Sequence, residues 1–282
     1  MIDLHLHTTA SDGTLTPRQL VARVVRAGIR VLSVTDHDTM AGVAETAEAA
    51  APHGVEVLPG IEITAVLDRR DVHMLGYFLD AAPPGLEEFL VGQRDDRVAR
   101  VRKMAVLLAG FGMPIDIDRL IEVGRSERRS LARPLVAQAL VVAGHVASVP
   151  EAFDRWIGDG RPAYVARQGA APTEVVQIVA RAGGVAALAH PGLLGHDDLI
   201  PSLVDAGLEA IEVYHSEHDI AAQRRYLNVA RGHGLAVTGG SDYHGEEHRR
   251  AAKLGHVGIS RPEFDALVDR IKQARERQRL AP

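Results

Sequence analysis

The most constraining feature of this 282-residue sequence is the alternation of short apolar segments with amphipathic helical ones. Strands are predicted at residues 2–7, 30–36, 55–64, 71–78, 185–190, 209–215 and 235–242. Helices are predicted at residues 17–27, 40–52, 172–182, 197–206, 219–232 and 262–279. About seven strands, mostly separated by helices, favour an α/β fold built as a parallel barrel or a doubly wound sheet.

The stretch between about 83 and 165 departs from this alternation because its pattern is mainly helical. Helices are predicted at 86–109, 130–143 and 150–157. We therefore expect one catalytic barrel over residues 1–282, interrupted at about 83–165 by a helical insertion.

Composition excludes several classes of protein. The absence of cysteine excludes disulfides, thiolate metal sites and cysteine nucleophiles. A net charge of −5 argues against capture of long duplex nucleic acid. No apolar run reaches the roughly 18 residues of a membrane span, and the N-terminus does not resemble a signal peptide. A cytoplasmic enzyme fits best, and the oligomeric state stays open.

Histidines and carboxylates gather at the predicted strand ends, where α/β barrels place their chemistry. In the first strand, His5 and His7 are two residues apart, so both side chains point to one face. Asp12 follows in the turn Ser11-Asp12-Gly13, close enough to reach the same face. Two imidazoles and a carboxylate are a typical part of a metal site.

The same residue types recur at the other strand ends. His37 follows the second strand, Glu62 is expected at the end of the third, and His73 lies on the fourth. His190 follows the fifth strand, and the last strand runs into Asp242 and His244. A single histidine is more often a hydrogen-bonded core residue, and His53 and His233 at helix ends are interpreted as structural. Six polar strand ends in one alternation instead predict a metal centre. Nitrogen and oxygen ligands suit Mn, Zn or Fe.

Together these residues resemble a known family. The motifs are His5-Leu6-His7, Ser11-Asp12-Gly13, Thr35-Asp36-His37-Asp38, Gly60-Ile61-Glu62, Ala189-His190-Pro191 and Gly240-Ser241-Asp242-Tyr243-His244. This set is similar to that of the PHP (polymerase and histidinol phosphatase) family over roughly 1–80 and 160–260. The resemblance implies a distorted (β/α)7 barrel. Within the family the chain looks most like the bacterial nucleoside 3′,5′-bisphosphate phosphatases and the related enzymes that trim short RNA from its 5′ end.

The resemblance also implies a site of two or three divalent ions, with manganese favoured. The implied ligands of the first ion are His5, His7, Glu62 and Asp242. Those of the second are Glu62, His73 and His190, and those of the third are Asp12, His37 and His244. The expected nucleophile is a hydroxide held between bridged ions, so no protein nucleophile is required.

The expected reaction is hydrolysis of the 3′-phosphate of nucleoside 3′,5′-bisphosphates, with 5′-3′ exonuclease activity on short RNA as a further expectation. Arg133, in Leu131-Ala132-Arg133-Pro134, is the candidate for a second phosphate, because the segment resembles an Arg-Pro helix start in these phosphatases. Arginine also suits bidentate contacts with phosphate. Ser216 and His218 are candidates for further substrate contacts. Two alternatives stay open: a phosphatase of another small ester such as histidinol phosphate, and an amidohydrolase-type enzyme. A scaffold without activity is disfavoured because all nine ligand-type positions are filled.

Overall fold

The computed structural model describes residues 1–126 and 133–280, and within them the chain folds as an α/β protein. The strands are β1 (Ile2–Leu6), β2 (Val31–Val34), β3 (Glu56–Val57), β4 (Gly60–Leu67), β5 (Arg70–Tyr77), β6 (Val185–Leu188), β7 (Ala210–His215) and β8 (Ala236–Gly240). The helices are α1 (Pro17–Arg26), α2 (Val43–Ala50), α3 (Leu86–Gly110), α4 (Ile117–Ser126), α5 (Arg133–Val142), α6 (Val149–Ala152), α7 (Pro172–Arg181), α8 (Pro191–Leu194), α9 (Ile200–Asp205), α10 (Ile220–His233) and α11 (Arg261–Leu280).

Helix α1 forms where its end signals predict it. The Thr16 hydroxyl accepts from the Gln19 amide, and the Gln19 side chain accepts from the Thr16 amide, which satisfies two donors at the helix start. Leu20, Val21 and Val24 are buried on one face of α1, in a core shared with residues of β1 and β2. The other helices predicted outside residues 83–165 form within a few residues of their predicted bounds.

The third predicted strand, residues 55–64, is divided into β3 and β4 by Leu58 and Pro59. Proline has no amide hydrogen and cannot donate to a neighbouring strand, so the pairing is interrupted there. β3 pairs with β2, whereas β4 begins a second sheet. β4 also continues to Leu67, which places Glu62 near its start rather than at its end. The expectation for the position of Glu62 along its strand was therefore wrong.

The predicted α/β fold is present, but the pairing is only partly parallel, because β5 runs antiparallel to both β4 and β6. Only Asp68 and Arg69 separate β4 from β5, and a parallel crossover needs a dozen or more residues. One sheet has the order β1-β2-β3 and is parallel. The other has the order β4-β5-β6-β7-β8 and is mixed, with β6, β7 and β8 parallel.

The two sheets meet at both edges. Beside β1, the His7 amide donates to Tyr243 at 3.0 Å and the Asp242 amide donates to His5 at 2.9 Å. Beside β2, a parallel bridge joins His37 to Glu62. These contacts bring the ends of β1 and β2, the start of β4 and the end of β8 together. The strands nevertheless form two separate hydrogen-bonded sheets.

Helices α3 to α6 form a helical cap with its own apolar core, which includes Met104, Leu108, Val136, Leu140 and Ile157. α3 covers the predicted helix 86–109, and α6 with the π-helical turn Phe153–Ile157 covers 150–157. α4 was not predicted. The start of the predicted helix 130–143, with Leu131 and Ala132, lies outside the described residues. The domain division itself stays a prediction.

In the described part of the chain, no helix combines the length and the apolar character needed to cross a lipid bilayer.

Candidate metal centre

The centre is organised around the carboxylate of Glu62, which is 1 % exposed. Its Oε2 atom lies 3.3 Å from His5 Nε2, 3.2 Å from His7 Nε2 and 3.3 Å from His37 Nδ1. Its Oε1 atom lies 2.8 Å from His73 Nδ1 and 3.1 Å from His190 Nε2. One buried carboxylate therefore faces five imidazoles from four segments of the chain, because His5 and His7 both belong to the first.

Asp242 closes the side of the centre next to β1. Its Oδ1 atom lies 3.5 Å from His5 Nε2, 3.3 Å from His7 Nε2 and 3.4 Å from His244 Nδ1. The hydrogen bonds between β1 and the chain after β8 set this arrangement. Asp242 and His190 both have positive φ, 51° and 28°, which is uncommon for residues other than glycine. Such backbone conformations persist where the surrounding structure fixes them, and they cluster at functional sites.

Asp12 lies on the more open side, with its side chain 34 % exposed. Its carboxylate is 3.3 Å from His244 Nε2 and 3.7 Å from both His7 Nδ1 and His37 Nε2. The turn that carries Asp12 is held by the buried Asp36 carboxylate. Asp36 accepts hydrogen bonds from the Thr8 amide, the Thr8 hydroxyl and the Ser11 hydroxyl at 2.6 to 2.7 Å.

All nine residues predicted as ligands thus lie in one cluster, but their grouping differs in detail from the predicted sets. Donor atoms within 4.8 Å of one another occur in four groups: His7, Asp12, His37 and His244; His5, His190 and Asp242; His5, His7 and Glu62; and His37, Glu62 and His73. His7, His37 and Glu62 each belong to two groups, as does His5. Of these residues only Glu62 has two oxygens with which to bridge neighbouring ions, because a neutral imidazole offers one acceptor nitrogen.

Electrostatics keeps the carboxylates ionised. Burial would raise the pKa of Glu62, but the surrounding imidazoles hold it well below its usual range. The pKa of Asp242 is likewise held well below its usual range, because His5, His215 and His7 outweigh burial. Burial by itself lowers the pKa of His7, but Asp242 and Glu62 raise it to about 10. At His37 burial outweighs the carboxylates of Glu62 and Asp12 and lowers the pKa to about 3.

The residues fit a metal centre because several buried donor atoms lack a hydrogen bond. These atoms are His5 Nε2, His7 Nε2, His37 Nδ1 and Asp242 Oδ1. Burying polar atoms without partners costs about 1–3 kcal/mol each. All four lie in the same cluster, where neighbouring divalent ions would satisfy them.

A second layer of residues, missed by the sequence analysis, orients the cluster. The fully buried Glu212 accepts from His5 Nδ1 at 2.9 Å and from the His190 amide at 2.7 Å. The sequence signal that could have revealed Glu212 is a charged residue in the middle of the apolar strand predicted at 209–215. His215 Nε2 donates to Asp242 Oδ2 at 3.1 Å, and Arg250 also contacts that oxygen. The far oxygen of Asp242 is thereby fixed while Oδ1 faces the cluster.

Two cavities open from the cluster towards the cap, and both are lined by Asp71, His73 and Arg133. The wide cavity, about 350 Å³, is further lined by Arg69, Arg70, Asp159, Tyr164, Ala189, His190, Leu193 and Leu194. The narrow cavity, about 180 Å³, is further lined by Asp12, His37, Thr64, Arg97, Arg100, Val101, Met104, Pro134, Phe153 and Arg167.

The three predicted substrate-binding residues have different surroundings. Arg133 lines both cavities, pairs with Asp159 at 2.7 Å and lies over the rings of Phe153 and Tyr164 at 5.8 and 5.7 Å. Both His218 nitrogens have backbone partners, the Val213 carbonyl at 2.9 Å and the Gly192 amide at 3.1 Å. Ser216 has a buried hydroxyl without a hydrogen bond and, like His218, does not line either cavity. Substrate contacts by Ser216 and His218 stay predictions.

Comparison with known proteins identifies the family. The model of the PHP domain matches residues 3–232. The chain belongs to the PHP family. The matched segment includes every predicted ligand except Asp242 and His244, and the structure brings those two next to His5 and His7.

Curated PHP relatives cover nearly the whole chain. A 3′,5′-nucleoside bisphosphate phosphatase from Chromobacterium violaceum is 34% identical over 96% of this chain and 97% of its own length. A phosphoribosyl 1,2-cyclic phosphate 1,2-diphosphodiesterase from Eggerthella lenta is 34% identical over 92% of this chain and 98% of its own. The 5′-3′ exoribonuclease Rnm from Salmonella typhimurium is 31% identical over 86% of this chain and 84% of its own.

Two solved structures have the same fold as this chain. A protein from Bifidobacterium adolescentis, provisionally described as a metal-dependent phosphoesterase, superposes with a TM-score of 0.84 at 33% identity, covering 95% of both chains. A Chromobacterium violaceum protein described as an amidohydrolase with bound sulfate and no metal superposes with a TM-score of 0.80 at 32% identity. It is matched over 95% of this chain and 96% of its own.

Proposed function

We propose that this protein is a metal-dependent phosphoester hydrolase that removes the 3′-phosphate of nucleoside 3′,5′-bisphosphates and also trims short 5′-phosphorylated RNA. The observation that carries the proposal is the Glu62 carboxylate, buried among five imidazoles whose donor atoms are in part without hydrogen bonds. The relatives named as phosphatase, cyclic phosphodiesterase and exoribonuclease all act on phosphate esters, which supports this class of reaction.

We assign the ligands to three divalent ions. His5, His7, Glu62 and Asp242 would hold the first ion, Glu62 with His73 and His190 the second, and Asp12, His37 and His244 the third. Manganese is the favoured metal, and zinc or iron would suit the same nitrogen and oxygen donors. The assignment is supported by the position of Glu62, which occurs in one donor group with His5 and His7 and in another with His37 and His73.

We further propose that the two sheets belong to one distorted (β/α)7 barrel, with β3 and β4 together as its third strand. The bridges of Leu6 with Tyr243 and of His37 with Glu62 support this, because they join the sheets at both edges.

When bound, divalent ions would supply a nucleophilic water at neutral pH and neutralise charge that develops on the phosphate. The protein prepares this chemistry by fixing its own groups. Glu212 holds the His5 ring so that Nε2 faces the cluster, and His215 with Arg250 holds Asp242. Such outer partners typically contribute a factor of about 10–100 to metal affinity or activity.

The second phosphate of the substrate is assigned to the narrow cavity. Four arginines line it, of which Arg97 and Arg167 pair with Asp38. Asp12 and Asp71 are the carboxylates of the same lining. Burial and the charge of Arg133 lower the pKa of Arg100, which is the effect of cations placed close together. A phosphate between them would relieve this repulsion, and arginine offers it bidentate hydrogen bonds.

The test is phosphate release from adenosine 3′,5′-bisphosphate with added Mn²⁺. Turnover should exceed that of p-nitrophenyl phosphate, histidinol phosphate and a phosphoribosyl 1,2-cyclic phosphate by at least about tenfold in kcat/KM. Equal rates on p-nitrophenyl phosphate would reject the substrate assignment, and a preference for histidinol phosphate would favour that alternative.

Variants test the site itself. Asp242→Ala and His7→Ala should lose both turnover and bound metal in elemental analysis, whereas His233→Ala, an exposed histidine at the end of α10, should keep both. Arg133→Ala should mainly raise KM for the bisphosphate and leave turnover of singly phosphorylated substrates unchanged. Wild-type kinetics of Arg133→Ala on the bisphosphate would contradict its assignment.

A further inference from the structure

We infer that the wide cavity is the path of the RNA chain beyond the phosphate under attack, and that Arg69 and Arg70 favour oligonucleotides over single nucleotides. The inference rests on the proposed function, because it takes the cluster as the place of phosphate hydrolysis. It goes further by assigning a second binding surface to residues outside the metal centre.

The two cavities differ in size and in the burial of their arginines. The narrow cavity, at about 180 Å³, is below the usual range of about 300–1,000 Å³ for a pocket that holds a whole small molecule, whereas the wide cavity, at about 350 Å³, is within it. Arg97 and Arg167 in the narrow cavity are 6–7 % exposed and ion-paired with Asp38. The narrow cavity therefore suits a compact terminal phosphate, and the wide one has room for a nucleotide.

The wide cavity also combines the surfaces that single-stranded RNA needs. Tyr164 and the partly exposed Leu193 and Leu194 offer apolar area for a base. Arg69 and Arg70 are exposed at its edge and form no ion pair with a carboxylate in the described part of the chain. Arg70 contacts His196 Nε2 at 2.6 Å, which orients its guanidinium without neutralising it.

The backbone holds Arg69 at this edge in an unfavourable conformation. Asp68 and Arg69 form the two-residue connection between β4 and β5, with φ of 48° and 67°. Asparagine and glycine are the residues preferred in such a connection, and a longer side chain in the left-handed region costs about 1–2 kcal/mol. Strained backbone positions cluster at functional sites, and the strained residue here carries a cation at the edge of the cavity.

His73 and His190 connect the wide cavity to the cluster. Both line this cavity, and both lie within 3.1 Å of Glu62. A phosphate at the cluster therefore has the wide cavity on one side and, through His37 and Asp12, the narrow cavity on the other. A 5′-phosphorylated RNA would place its terminal phosphate in the narrow cavity and its next nucleotide in the wide one. A nucleoside bisphosphate has no next nucleotide and would leave Arg69 and Arg70 without a phosphate contact.

The experiment compares kcat/KM for adenosine 3′,5′-bisphosphate and for a 5′-phosphorylated tetra-adenylate, both with Mn²⁺. The variants are Arg69→Asn, which suits the left-handed backbone, Arg70→Gln and the double variant. The control is Arg224→Ala, an exposed arginine of α10 that lines neither cavity. Arg69→Lys and Arg70→Lys test whether charge alone is sufficient.

For two exposed phosphate contacts, the double variant should lose about tenfold in kcat/KM on the tetranucleotide and less than about twofold on the bisphosphate. The slope of log kcat/KM against log salt for the tetranucleotide should become shallower by about 0.7 for each arginine removed. The lysine variants should recover most of the loss, and Arg224→Ala should match wild type.

Equal losses on both substrates, or no loss on either, would overturn the inference while leaving the proposed function intact. Failure of the wild type on both substrates would instead refute the proposed function. In that case, fluorescence anisotropy of the labelled tetranucleotide with metal-depleted protein measures binding without turnover and so tests the inference separately. Weaker binding by the double variant than by Arg224→Ala supports it, and equal binding rejects it.

Discussion

The buried ion-pair cluster of Asp38 gives the sharpest prediction about stability. Its carboxylate is fully buried and pairs with Arg97 of α3 and with Arg167, which follows the cap in the sequence. The distance from Asp38 to Arg167 is 2.8 Å. Its other oxygen accepts from the Thr64 amide at 2.9 Å. Asp38 has φ of 53°, a conformation that asparagine tolerates, so Asp38→Asn removes the charge with little change in shape.

Two arguments put the cost at a few kcal/mol. Burial raises the pKa of Asp38, but Arg97 and Arg167 lower it from 3.8 to about 2, which corresponds to roughly 2 kcal/mol of stabilisation of the ionised form. Removal of one partner from a buried ion pair typically costs about 3–5 kcal/mol. We therefore expect Asp38→Asn to lower the free energy of unfolding by about 3 kcal/mol.

Urea denaturation followed by two signals tests this. The only tryptophan of the sequence, Trp156, lies in the cap and reports on its unfolding, while far-UV circular dichroism reports on the whole chain. Because Asp38 joins the cap to the strands, the fluorescence midpoint should fall at least as far as that of circular dichroism. Asp95→Asn, an exposed change on the same helix, should cost less than about 0.5 kcal/mol. A loss below about 1 kcal/mol for Asp38→Asn would refute the reasoning.

Three further predictions concern pH and metal. The native pKa of Asp38, about 2, is below its ordinary value of 3.8. The contribution of Asp38 to the free energy of unfolding should therefore be complete above about pH 4 and disappear as the pH falls to about 2. Acid titrations of Asp38→Asn should lack this change. Glu212→Gln should keep the fold by circular dichroism but weaken metal affinity by about 10–100-fold in equilibrium dialysis, and unchanged affinity would contradict its orienting role. Removal of metal with a chelator should abolish turnover and lower the melting temperature. The lost stabilisation is about 2.7 kcal/mol if the metal had been at a hundred times its Kd. An unchanged melting temperature with full activity would argue against a bound metal.

The local pattern of the sequence was sufficient for most elements of the fold. The helices form near their predicted bounds because end signals such as Thr16 and Pro17 act over a few residues. The division of the third strand at Pro59 and the antiparallel course of β5 were not foreseen. Both depend on which strands become neighbours, and the apolar pattern of a single strand does not contain that information.

By itself, the sequence determined the identity of the chemistry. Histidines and carboxylates spaced at the ends of apolar segments are costly to bury unless they are paired, so their clustering was implied before any coordinates. Only the tertiary structure decided how they meet: Glu62 among five imidazoles, Glu212 behind His5, and Arg69 at the edge of a cavity beside the cap. These contacts join residues up to 207 positions apart, so they follow from the pairing and packing of whole elements rather than from local preference.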